Sequence, residues 1–66
     1  MIVAFMKQGS DGTEELARFE INSKLPGIGD KVRLNSKVFK VKDLVYEFFG
    51  RNDRTSTIEI LMEDLG

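Results

Sequence analysis

Lys37-Val38-Phe39-Lys40-Val41-Lys42-Asp43-Leu44-Val45-Tyr46-Glu47-Phe48-Phe49 is the longest of five segments rich in Val, Ile, Phe and Leu, and its rhythm decides the fold. In a β-strand alternate residues share a face. Phe39 and Val41 have one parity, whereas Leu44, Tyr46 and Phe48 have the other. For all five to face one interior, one residue must be absorbed near Lys42-Asp43. A β-bulge does this by setting two residues against one on the neighbouring strand, and it bends the chain. The segment reads as a bent strand serving two sides of a small barrel. Leu44, Tyr46 and Phe48 then turn in, and Val45 and Phe49 turn out.

On its amino-terminal side, Asn35-Ser36 reads as a two-residue hairpin turn, where Asn tolerates the positive φ that such turns require. Ser is a weaker second residue than Gly. Before it, Lys31 to Leu34 is a short strand with Val32 and Leu34 inward and Lys31 and Arg33 outward. Turn formers fill Asn22 to Asp30, with Leu25-Pro26-Gly27-Ile28-Gly29-Asp30 at the centre. Glu15 to Asn22 is ambiguous locally: Glu14-Glu15-Leu16-Ala17-Arg18 favours helix, and Asp11 with Glu14 imitates a capping box. Periodicity favours a strand, because Ala17, Phe19 and Ile21 alternate with Arg18 and Glu20. Gly9-Ser10-Asp11-Gly12 separates that segment from Ile2 to Gln8, a strand apolar on both faces at its start and so central or barrel-closing. On the carboxy-terminal side, turn residues from Gly50 to Ser56 lead into Thr55 to Met62. There Ile58, Ile60 and Met62 point inward and Thr57, Glu59 and Leu61 outward, before the acidic end Glu63-Asp64-Leu65-Gly66.

Residues 1–66 thus read as one all-β domain: a small five-stranded antiparallel sheet closed as an SH3-like barrel, since closure removes exposed edges. An OB-like barrel usually carries a helix between its third and fourth strands, and Asn35-Ser36 leaves no room for one. Residues 25–34, followed by Phe39-Lys40-Val41-Lys42-Asp43-Leu44-Val45-Tyr46, resemble the P-x-I-G-D-x-V … Y/F-x-V-x-D-V pattern of small SH3-like barrels. Short uncharacterised proteins of phages and prophages are among them. The matching residues are turn formers and core positions, so the resemblance implies a fold and brings no active site with it.

Chemistry is limited by what is missing. The chain has no His, Cys or Trp, which excludes a zinc finger, a disulfide framework, a thiol nucleophile and a Ser-His-Asp triad. Carboxylates pair in sequence at Glu14-Glu15 and Glu63-Asp64, but neighbours on a strand point apart, which suits neither acid–base work nor magnesium. Gly27 and Gly29 precede no Gly-Lys-Ser/Thr and no helix, so no phosphate loop is present. The expectation is a protein that is not an enzyme and uses no metal or other cofactor. The apolar start, Met1 to Met6, is too short for a secretory signal or a membrane span, which points to a soluble, cytoplasmic chain.

Two surfaces remain as candidates. Val45 and Phe49, joined by Leu61, give an outward apolar patch of the kind that meets another protein or a second copy, or that a loop or the apolar start of the first strand covers. A homodimer suits a chain this short, which buries only roughly 60% of its unfolded surface. Alternatively, Lys31, Arg33, Lys37, Lys40 and Lys42 occupy twelve residues that contain no acid, and Arg51 and Arg54 follow. The hairpin puts Lys31, Arg33, Lys40 and Lys42 on one face that could meet nucleic-acid phosphates, with a slope of log affinity against log salt of about −4. Lysines on a solvent face also serve simply to keep a hairpin soluble. Ten Lys and Arg against eleven Asp and Glu leave the whole chain at −1, whereas a dedicated nucleic-acid binder is commonly basic.

Overall fold

Tight turns and two bulges lay out the described residues. In the computed structural model, which describes residues 1–48 and 56–66, five strands form one sheet: β1 (Ile2–Gly9), β2 (Gly12–Glu20), β3 (Lys31–Leu34), β4 (Lys37–Phe48) and β5 (Ser56–Asp64). No helix is present among the described residues, so Glu14 to Arg18 is strand despite its helical propensity. Asn35 and Ser36 both take positive φ, 52° and 68°, and Leu34 pairs with Lys37 across them, as a two-residue hairpin requires.

The bulge foreseen in the long segment is present. Val41 pairs with Met62 and Asp43 with Leu61, leaving Lys42 as the extra residue, so Val41 and Leu44 both face the interior despite opposite parity. A second bulge has no counterpart in the sequence reading. Phe5 pairs with Ala17 and Met6 with Glu15, which leaves Leu16 extra. Leu16 thereby packs against the core beside Ala17.

The strand order is β2-β1-β5-β4-β3. Three neighbouring pairs are antiparallel, but β1 and β5 run parallel, Val3 beside Ile58 and Phe5 beside Ile60. The expectation of a purely antiparallel sheet is therefore corrected. The reason is topological: the β1–β2 hairpin and the antiparallel β4–β5 pair meet through β1 and β5, and the chain between those two strands, residues 10–55, supplies the long connection that a parallel pair needs. The sheet curls into a half-barrel in which β2 and β3 are the two end strands and do not pair with each other.

The concave face holds the core: Val3, Phe5, Phe39, Val41, Ile58, Ile60 and Met62 are buried, and Ile21 and Leu25 from the β2–β3 loop pack on them. That loop ends in a turn. Asp30 N–H donates to the Gly27 carbonyl (3.0 Å), while Gly27 N–H donates to Asp30 Oδ2 (2.8 Å). Gly29, at the third position with φ of 93°, supplies the conformation that such a turn demands. The turn is pinned to β4 by Gly29 N–H to the Val41 carbonyl and Val41 N–H to the Asp30 carbonyl, both 2.9 Å.

Candidate interaction surface

β4 has twelve residues and β3 only four. β3 pairs with Lys37 to Lys40, and the turn before it reaches Val41. From Asp43 to Phe48, β4 has β5 on one side and no strand on the other among the described residues. This open edge determines where the aromatic residues end up. Phe19, Val3, Ile58 and Tyr46 form one row across β2, β1, β5 and β4. Its middle members are buried, but Tyr46 is 51% exposed, with no strand beyond it among the described residues. Phe48, opposite Ser56, is 74% exposed.

Tyr46 and Phe48 were expected inside, and this is corrected. They share the inward parity of Leu44, yet a strand without an outer neighbour leaves them in solvent. Their rings stack with centroids 6.3 Å apart and planes inclined by 7°. By contrast, Phe19 at the other end of the row meets Phe5 edge to face, at 5.9 Å and 70°.

On the convex face, Val45 is 41% exposed and lies opposite Glu59, while Leu61 is half-buried opposite Asp43. Val45 and Leu61 are thus diagonal neighbours on one face. Phe49, the third member of the expected patch, lies outside the described residues, as do Arg51 and Arg54. Asp43, Val45 and Glu47 alternate along the convex side of the open edge, and Leu44, Tyr46 and Phe48 along its concave side. The Leu44 N–H donates to Asp43 Oδ1 at 2.9 Å.

The basic residues are divided by the same pleat. Lys31 stands directly opposite Lys40, with Arg33 two residues along on the same face. Lys42, the bulge residue, is 3.4 Å from Glu63, and Lys37 belongs to the concave side, where it and Lys7 each lie 3.9 Å from Asp64. Lys31, Arg33 and Lys40 have no ion-pair partner among the described residues. The role of Asp64 was not legible in the sequence, which reads there as an acidic tail; the strand in fact continues through it.

The paired acids are dispersed. Glu15 lies opposite Met6 and Glu14 opposite Lys7, so they occupy different faces. Arg18 donates to Glu15 Oε1 at 2.6 Å, and this hydrogen bond holds the Glu15 carboxyl below its ordinary 4.5 and raises Arg18. An open hollow of about 300 Å³ over the β1–β2 turn is lined by Lys7, Asp11, Glu14 and turn backbone. Among the described residues no three carboxylates gather as a metal site, and no helix is long and apolar enough to cross a membrane. No family model, curated protein or solved structure matches the chain.

Proposed function

We propose that the chain is a non-enzymatic interaction module, a small SH3-like barrel of the type that phages encode. In this reading it works in the cytoplasm and engages a protein partner or a second copy through the Asp43–Phe48 edge, with Val45 and Leu61 on its outer face. The observation that carries the reading is the stacked Tyr46–Phe48 pair in solvent beside an unpaired stretch of strand. Exposed aromatic clusters mark contact sites, and natural sheets normally blunt or cover such edges. The test compares the intact protein with a Tyr46→Ser, Phe48→Ser variant in sedimentation and in nuclease-treated pull-downs. Association that disappears in a folded variant supports the reading. A monomer at all concentrations, with identical recoveries from both proteins, overturns it.

A second reading, nucleic-acid binding by the β3–β4 hairpin, is favoured by one observation. Lys31 and Lys40 are directly opposed, and Glu63, which stands opposite Lys40 on β5, is engaged by Lys42; like charges in that position disfavour the sheet unless a further anion compensates them. With Lys42 engaged by Glu63, three cations remain, so the expected slope of log affinity against log salt is about −3. A Lys31→Glu, Lys40→Glu variant that still folds and binds DNA or RNA with the original slope would remove this reading.

A further inference from the structure

Three stretches of sheet edge have no strand beside them among the described residues, and they differ in chemistry. The outer edge of β2 is broken by the Leu16 bulge and crossed by the Arg18–Glu15 pair, both of which hinder strand addition. That of β3 is four residues long and carries Lys31 and Arg33. The third, Asp43–Phe48, is a six-residue run with a consistent alternation. Its convex positions hold Asp43 and Glu47, and Glu59 lies next to Val45 on the neighbouring strand. Asp43, Glu47 and Glu59 have no ion pair among the described residues, although Glu59 faces Arg18 across Ala4 of β1 and feels its charge, and Asp43 Oδ1 already accepts the Leu44 N–H. Its concave positions hold Leu44, Tyr46 and Phe48, apolar or aromatic and increasingly exposed toward Phe48.

A strand added at an edge continues the pleat of its host, so its side chains alternate between the same two faces. We infer that the occupant of this edge is an extended segment of another protein that alternates basic with apolar side chains. Its basic residues lie on the convex face against Asp43, Glu47 and Glu59. Its apolar residues extend the concave row past Leu44, Tyr46 and Phe48. The same acids disfavour the corresponding edge of a second copy, since self-pairing would gather Asp43 and Glu47 from both chains on one face. This inference rests on the interaction reading above and adds the chemistry of the partner.

The test uses the intact protein and eight-residue peptides: one alternating Lys with Val, one alternating Glu with Val, one alternating Ser with Val, and the Lys-Val peptide with alternate amides N-methylated. Binding is followed by the fluorescence of Tyr46, the one tyrosine of the chain, and by backbone amide shifts. The expected result is that only the unmethylated Lys-Val peptide binds tightly and shifts the amides of Leu44 to Phe48. Glu47→Lys should weaken it by about tenfold, as should a large increase in salt. If the Glu-Val or Ser-Val peptide binds this edge equally well, the charge rule is wrong while the edge remains the contact surface. If the N-methylated peptide binds equally well, strand addition is wrong. If no peptide perturbs Asp43–Phe48, the inference fails, and the interaction reading is then judged by the Tyr46, Phe48 variant alone.

Discussion

Ser36 holds φ at 68°, a left-handed conformation that costs a residue with a Cβ roughly 1–2 kcal/mol. Asn35 at 52° tolerates the same region better, through its short polar side chain. Ser36→Gly should therefore stabilise the protein by about 1 kcal/mol, raising the thermal midpoint by about 4–8 °C in a domain of this size. An unchanged or lower midpoint in a calorimetric scan would contradict the turn geometry. Glu15 offers a second residue-scale measurement. Its folded pKa is depressed by the Arg18 hydrogen bond, so its contribution is present above the unfolded carboxylate value and is lost as pH falls through the folded one. Carboxyl NMR should place the Glu15 midpoint below 4.5, and Arg18→Ala should return it toward that value. Residues differ in how far sequence alone could place them. The Asn35-Ser36 turn was legible because few residue types accept its backbone. Tyr46 and Phe48 were not, because parity gives the face of a side chain and is silent on whether anything covers that face.

At the scale of elements, the bulge at Lys42 is what lets β4 turn Phe39, Val41 and Leu44 all to the interior. Deleting Lys42 would make the strand regular, and either Phe39 with Val41 or Leu44 would then rotate out of the interior. The deletion variant is expected to lose its cooperative thermal transition and the dispersion of its amide spectrum. Lys42→Ala retains the extra residue and should keep both, losing only the pair with Glu63, worth about 0–1 kcal/mol at the surface. The slip near Lys42 could be read from the change of parity between Val41 and Leu44. The Leu16 bulge could not, since Ala17, Phe19 and Ile21 give an unbroken alternation after it and the residues before it are polar. Pairing partners were equally hidden. Alternation in Ile58, Ile60 and Met62 shows which way they point, whereas their parallel neighbours on β1 are set by which hairpins dock together.

For the whole molecule, the decisive fact is how little interior there is. Among the described residues eight hydrophobic ones are buried, and no buried polar or charged residue accompanies them. The core therefore depends on apolar burial without buried ion pairs or polar networks. At about 0.05–0.15 kcal/mol per residue, total stability is on the order of 3–10 kcal/mol. Ile60, fully buried at the centre of the concave face, should cost about 2–5 kcal/mol when truncated to Ala, a large part of that total. Urea unfolding should show a much lower midpoint for Ile60→Ala, whereas Val45→Ala on the convex face should stay near the parent. Comparable midpoints for the two variants would mean that the concave face is not the main source of stability.

The parallel pairing of β1 with β5 has a consequence for biosynthesis. A nascent chain that has emerged only as far as residue 55 possesses two separate hairpins and no strand to join them, so its native contacts remain local. Ser56–Asp64 supplies both missing seams at once, bonding β1 on one flank and β4 on the other. Translation must therefore deliver this strand before Val3, Phe5 and Val41 can leave water, and until then both half-formed ribbons present apolar faces to other chains.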